Sequence, residues 1–178
     1  MKRIFNKLFV VVKMLLSPYG KTSFLNNLDH NAVIFDVGCG NNSPIKTKKI
    51  IPKCVYYGID IDDYNQASSQ YADHYITTTS ENFSSKISEF KNYFDAVISS
   101  HNLEHCDDWK GVLLAIHSSL KTGGRVYISL PSELSITFPS RIGTLNFYDD
   151  STHKNLIFFN DLQNYLDSLN FKIIYKTN

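Results

Sequence analysis

An α/β domain with a doubly wound, mostly parallel sheet of about six strands is what this sequence predicts, and three observations predict it. From residue 32 onward, short β-rich apolar runs alternate with helical patterns. Phe94–Ser100 is a near-continuous apolar run, suited to a strand covered on both faces at the sheet centre. Val33-Ile34-Phe35-Asp36-Val37 runs straight into Gly38-Cys39-Gly40, a strand entering a glycine turn ahead of a helix. A chain of 178 residues suffices for one domain with a sizeable core, and no repeat or linker divides it.

The totals narrow the function classes. Lys and Arg number 18 against 17 Asp and Glu, a formal charge of +1, which speaks against a nucleic-acid partner. Cys39, Cys54 and Cys106 are odd in number and follow no metal-ligand spacing, so they read as reduced thiols of a cytoplasmic protein.

Element by element, residues 1–20 form an amphipathic segment and 21–178 the domain proper. MKRIFNKLFVVVKMLL sets Ile4, Leu8 and Val12 on one helical face, while Lys7 and Lys13 make it too short and too charged to span a bilayer. It either packs on the domain or lies against the inner face of a membrane. Ala32–Val37 is the first strand. Ser43 caps a short helix with Pro44 at its first position. Cys54–Asp60 and His74–Thr79 are the second and third strands, and Asn82–Tyr93 is a mixed helical stretch. After the fourth strand, Trp109, Val112, Leu113, Ile116 and Leu120 share a helical face that Gly123-Gly124 ends. Arg125–Leu130 is the fifth strand. Residues 131–158 have no steady period and are long for a plain connection, which marks them as functional. Asn160 caps a last helix over Asp161–Leu169, and Phe171–Lys176 is a sixth strand.

The glycine turn selects its ligand through its neighbours. A dinucleotide site wants a third glycine for the pyrophosphate, where this chain has Asn41-Asn42-Ser43. Asp36 places a negative charge beside the turn, unsuited to a pyrophosphate and suited to a ligand with a cationic amino-acid end. Asp60, about twenty residues on at the end of the second strand, can accept both hydroxyls of a ribose. Asn42 tolerates the positive φ that a third glycine would otherwise supply.

Four motifs carry a resemblance: Phe35-Asp36-Val37-Gly38-Cys39-Gly40; Tyr57-Gly58-Ile59-Asp60-Ile61; Phe94 through Asn102-Leu103-Glu104-His105; and Leu120-Lys121-Thr122-Gly123-Gly124-Arg125. With them the chain resembles the class I S-adenosylmethionine-dependent methyltransferases, of Rossmann-like fold, over residues 31–175. The resemblance implies S-adenosylmethionine as cofactor and S-adenosylhomocysteine as product. It also implies that Asp36, Gly38, Cys39 and Gly40 hold the methionine part, and Asp60 and Ile61 the ribose. Thr79, Ser80 and Glu81 would flank the adenine, and Ser100, His101 and Asn102 would pass beside the methyl group. Thr79 stands where the family often has an acid on the adenine amine.

Methyl transfer at a sulfonium is an in-line displacement, in which the protein supplies alignment. A hydroxyl acceptor gains from a base. His101, at the carboxyl end of the fourth strand, and His153 are the candidates, with Asp150 placed to orient the His153 ring. An Asx-type turn in which His153 merely packs is the rival reading of residues 149–153. No ligand spacing demands a metal.

Residues 131–154 hold groups suited to a polar small-molecule substrate, among them Ser132, Glu133, Arg141 and Tyr148. With Asn41-Asn42-Ser43-Pro44 they resemble a methyltransferase subgroup of bacterial surface-polysaccharide biosynthesis, which implies O-methylation of a sugar or glycan precursor. Family members have a seventh, antiparallel strand, and this sequence ends after its sixth. Either the sixth strand shifts in to pair with the fifth, or a free sheet edge is left, which suits a homodimer. It equally suits a truncated, catalytically silent cofactor-binding or interaction protein.

Overall fold

The structure, a computed structural model, describes residues 20–64, 72–141 and 145–176. The amphipathic pattern of residues 1–16 lies outside them. Along the chain come α1 (Lys21–Asn26), β1 (Val33–Val37), α2 (Ser43–Ile50), β2 (Val55–Asp60), β3 (His74–Thr77) and α3 (Phe83–Ile87). Then follow β4 (Phe94–Ser100), α4 (Trp109–Ser119), β5 (Leu120–Ser129) and α5 (Phe159–Ser168).

All strands pair in parallel, in the order β3-β2-β1-β4-β5. Consecutive strands β1, β2 and β3 build outward one way, and the chain then crosses back to lay β4 on the other side of β1. This reversal opens a crevice at the carboxyl ends of β1 and β4, where open parallel sheets place their ligands.

Alternation along the strands makes two cores. Phe35, Val37, Ile59 and Val97 point to the face covered by α3 and α4, meeting Ile87, Leu113 and Ile116. Leu162 and Leu166 of α5 pack on the same face. Ile34, Tyr56, Ala96 and Ile98 point the other way, onto Leu25 of α1 and Ile51 at the end of α2. Both faces of β1 and β4 are therefore largely covered, which is why their sequences read as near-continuous apolar runs broken by Asp36 and Asp95.

The doubly wound parallel fold is as the sequence predicts, with five strands in place of six. Phe171–Lys176 forms no ladder among the described residues; Phe171 packs on the core beside His117, while Ile174 is 78% exposed. Gly123-Gly124 do not end the helix. It closes at Ser119, whose Oγ donates to the Ile116 carbonyl at 2.8 Å, and Leu120 already pairs with Phe94. The glycines instead sit in the irregular start of β5, with Gly123 at φ +79°. β3 stops at Thr77, and only Phe83–Ile87 of the mixed helical stretch is helical. α5 begins earlier than expected and is capped from afar: the Phe159 N–H donates to Glu133 Oε2 at 3.2 Å, and Asn160 lies inside the helix. Among the described residues no helix is long and apolar enough to cross a membrane.

Candidate active site

Backbone hydrogen bonds first tie the β1 turn to the end of β2. The N–H groups of Gly38 and Cys39 both donate to the Ile59 carbonyl, at 2.9 and 3.2 Å. Gly38, Gly40 and Asn42 take φ of +70°, +50° and +69°, so the left-handed conformation recurs at every second residue. Gly38 is obligatory for a second reason. A Cβ there would stand 2.2 Å from Asn102 Oδ1, since the buried Asn102 packs directly on the turn. A Cβ on Gly40 would meet open space.

Asp60 closes the turn from β2. Its Oδ2 accepts the Gly40 N–H and its Oδ1 the Ile61 N–H, both at 2.7 Å. Burial pushes its carboxyl above the usual range, and these two hydrogen bonds work against that shift. Two carboxylate oxygens offer about four lone-pair sites, so with the Gly40, Ile61 and Asp62 N–H groups on them at least one remains for a ligand hydroxyl.

Asp36 is buried on the opposite face of β1 from Phe35. Its Oδ2 accepts from Lys21 Nζ at 3.2 Å, Ser43 Oγ at 2.5 Å and Tyr56 Oη at 2.9 Å. Burial and the Asp36 charge hold the Tyr56 phenol well above its ordinary pKa, so it keeps the proton it donates. Ser43 thus serves Asp36 instead of capping α2, whose N-cap residue is Asn42. The same burial and charge push the Cys39 thiol up to about 12.

Beyond β3, Thr79, Ser80 and Glu81 form an exposed turn, tied to β2 by the Thr78 N–H on the Asp60 carbonyl at 3.0 Å. Beyond β4, Ser100 Oγ meets Ser129 Oγ at 2.8 Å, and His101 turns out at φ +52° with its side chain 63% exposed. Its Nδ1 stands 3.4 Å from Oε1 of Glu104, and that carboxylate holds the His101 pKa above its ordinary value.

His153 arrives from the irregular stretch. The N–H groups of Lys154 and Asn155 both donate to the Glu104 carbonyl, at 2.8 and 3.0 Å, pinning residues 152–155 beside the end of β4. The His153 ring stacks on Phe147, centroids 4.5 Å apart, and its Nδ1 lies 2.6 Å from the Phe147 carbonyl. A carbonyl oxygen orients this ring. Asp150 instead lies on the other side, its Oδ2 3.8 Å from Nε2.

The crevice therefore gathers Asp36, Gly38, Gly40, Asp60 and Asn102 around one turn, with His101 and His153 to one side of it. Ile61, Thr79, Ser80 and Glu81 lie along its rim beyond β2 and β3. Lys21, Tyr56 and Glu104 were not singled out by the sequence. Tyr56 was foreshadowed by its place on the same strand face as Ile59's neighbours, whereas nothing local marks Lys21.

The sequence profile of a family described as "Methyltransferase domain" matches residues 16–176. The chain belongs to that family. No curated protein sequence matches it. A SAM-dependent methyltransferase from Archaeoglobus fulgidus is 23% identical with a TM-score of 0.68, covering 91% of this chain and 68% of its own. The [4+2]-cyclase SpnF is 17% identical with a TM-score of 0.64, over 86% of this chain and 57% of its own. YcgJ from Bacillus subtilis is 14% identical with a TM-score of 0.63, over 83% and 66%. The chain thus spans 57% to 68% of the length of these three proteins. At such identities the likeness is one of fold, and one of the three is named for a cyclisation.

The glycine turn and the Asp60 carboxylate at the crevice mouth have the form that the cofactor of class I enzymes needs. At Asp36 a lysine ammonium already occupies the place foreseen for a cationic ligand group.

Proposed function

We propose that this methyltransferase domain uses S-adenosylmethionine to methylate a hydroxyl of a small molecule, a sugar or glycan precursor. One observation carries the reading: the carboxylate of Asp60 is clamped by the N–H groups of Gly40 and Ile61 at the mouth of the crevice. That arrangement pre-sets a diol acceptor beside a turn in which Gly38 leaves no room for a Cβ. Gly38 and Gly40 would admit the methionine part, Cys39 would line the turn, and Asp36 with Lys21 would meet its amino-acid end. Thr79, Ser80 and Glu81 would border the adenine, and Ser100 and Asn102 the sulfonium side.

When bound, the cofactor supplies an activated methyl group, and this chain's residues position the acceptor and manage its proton. Bare ring nitrogens suit that task, and His101 and His153 border the same end of β4, with Asp150 beside His153. The sugar acceptor is supported by the polar residues of the 131–154 stretch and by the subgroup resemblance. A cytoplasmic place at the inner membrane face rests on the amphipathic pattern of residues 1–16, and a homodimer on the outer edge of β5.

Titration with S-adenosylhomocysteine tests the reading. The parent chain binds at micromolar levels and Asp60→Ala weakens binding at least tenfold. Absence of binding at millimolar ligand would overturn it.

A further inference from the structure

Glu104 is 1% exposed, and among the described residues neither of its carboxylate oxygens has a hydrogen-bond partner, the His101 ring standing off Oε1 with its Nδ1 3.4 Å away. A buried carboxylate without donors is costly unless a positive charge stands at its oxygens. It belongs to the single 3₁₀ turn Leu103–His105 that follows β4. Ligand atoms of Glu104, His105 and His153 all lie within 4.8 Å of one another.

Both imidazoles have settled which nitrogen is bare. His153 Nδ1 faces the Phe147 carbonyl at 2.6 Å, and a carbonyl only accepts, so Nδ1 carries the proton. His105 Nδ1 faces the Thr152 carbonyl at 3.2 Å and Thr152 Oγ1 at 3.0 Å, and that hydroxyl spends its own proton on Asp150. Each ring is left with an Nε2 lone pair. Metal-bound histidines are held in this way, with the far N–H on a backbone carbonyl that fixes tautomer and orientation.

We infer that Glu104, His105 Nε2 and His153 Nε2 bind one divalent first-row transition ion, of the zinc or manganese class, beside the methyl-transfer crevice. Two imidazoles and one carboxylate, with positions left for exogenous ligands, are the donor set of catalytic zinc and non-haem iron sites. An all-oxygen ion such as calcium is not served by two ring nitrogens. Bonds of about 2.1 Å place ligand atoms about 3.0 to 3.4 Å apart, so binding draws the three side chains closer together. The backbone that carries them is already joined, through the Lys154 and Asn155 N–H groups on the Glu104 carbonyl and Asn155 Nδ2 on the Cys106 carbonyl at 2.6 Å. His101 and Asp150 border the cluster, 3.4 Å from Glu104 and 3.8 Å from His153 respectively.

The ion's role rests on the methyltransferase reading, though the site does not. An acceptor hydroxyl bound at an open position would lose its proton to water more readily. Its oxygen then forms the bond to the methyl carbon as the carbon–sulfur bond breaks, the thioether leaves neutral, and the ion keeps its charge. His153 would act as a ligand, and its lone pair would not be the base.

The test is calorimetric titration of the chelator-treated full chain with Zn²⁺ and, separately, Mn²⁺, with no cofactor present. One ion binds per chain, and Glu104→Gln and His153→Ala each weaken it at least a hundredfold, while His74→Ala does not. Saturating metal raises the unfolding temperature of the parent and of neither ligand variant. If either variant fails to fold, the visible spectrum of the parent loaded with Co²⁺ reports the donors directly, and a thiolate charge-transfer band would overturn the assignment. So would failure to bind any of these ions, or unchanged affinity in the variants. S-adenosylhomocysteine binding, measured in chelator, separates failure of the metal site from failure of the methyltransferase reading.

Discussion

The Nζ of Lys21 stands 3.2 Å from Oδ2 of Asp36, so the buried charge at the head of the glycine turn is met by a cation from α1. The same ammonium donates to Ser43 Oγ at 2.7 Å, tying α1, β1 and α2 at one point. Asp36 is 1% exposed and Lys21 27%, so the pair is only partly screened.

Lys21→Met leaves Asp36 with the Tyr56 and Ser43 hydroxyls alone, and the fold loses about 2 kcal/mol. Urea denaturation measures the loss, and in a cycle with Asp36→Asn the two changes are not additive. Lys21→Met also alters the affinity for S-adenosylhomocysteine but not for methylthioadenosine, which lacks the amino-acid end. Equal effects on both ligands would remove this pair from the amino-acid end of the site.

The two turn glycines separate folding from binding. Gly38→Ala combines left-handed strain with a collision on Asn102, and destabilises the fold by about 2–4 kcal/mol. Gly40→Ala has only the backbone strain, about 1 kcal/mol, because its Cβ enters open space. Gly40→Ala therefore stays folded by circular dichroism yet loses most affinity for S-adenosylhomocysteine. Full retention of affinity would show that no ligand approaches the turn there.

Asp95 links β4 to the starts of its neighbours, accepting the Val33 N–H and the Lys121 ammonium, each at 2.8 Å. Burial raises its carboxyl, and these two donors outweigh burial to leave it below the ordinary value. A depressed carboxylate contributes stability that is present above its unfolded pKa, about 3.9, and is lost as pH falls through the folded one. Asp95→Asn is therefore less stable than the parent at pH 7, and the gap narrows on acidification below about pH 4. Unfolding midpoints across that range check it, and a gap independent of pH would contradict the assignment.

Local pattern determined most of the architecture. The apolar runs of β1 and β4, the Asp36 to Gly40 turn and Asp60 at the end of β2 are all written at short range, because strand burial and a left-handed turn constrain residues within one segment. The strand Phe94–Ser100 is found where it was expected to the residue. Predictions that depended on a distant partner fared differently. Phe171–Lys176 has the alternation of a strand but pairs with no strand among the described residues, Asn160 yields its capping role to Glu133, and Ser43 turns from its helix to Asp36.

By itself the sequence determined the parallel α/β fold and the glycine turn with its flanking acids, since periodicity and backbone conformation are properties of neighbouring residues. Only the tertiary structure decided that Lys21 neutralises Asp36, 15 residues away, and that His153 lies beside His105, their ring centroids 4.8 Å apart. It alone decided that the buried Glu104 lies close to both rings, with ligand atoms within 4.8 Å of one another. Those relationships arise where separate segments converge at the carboxyl ends of the inner strands β1 and β4, and no local spacing encodes which side chains will share a buried charge.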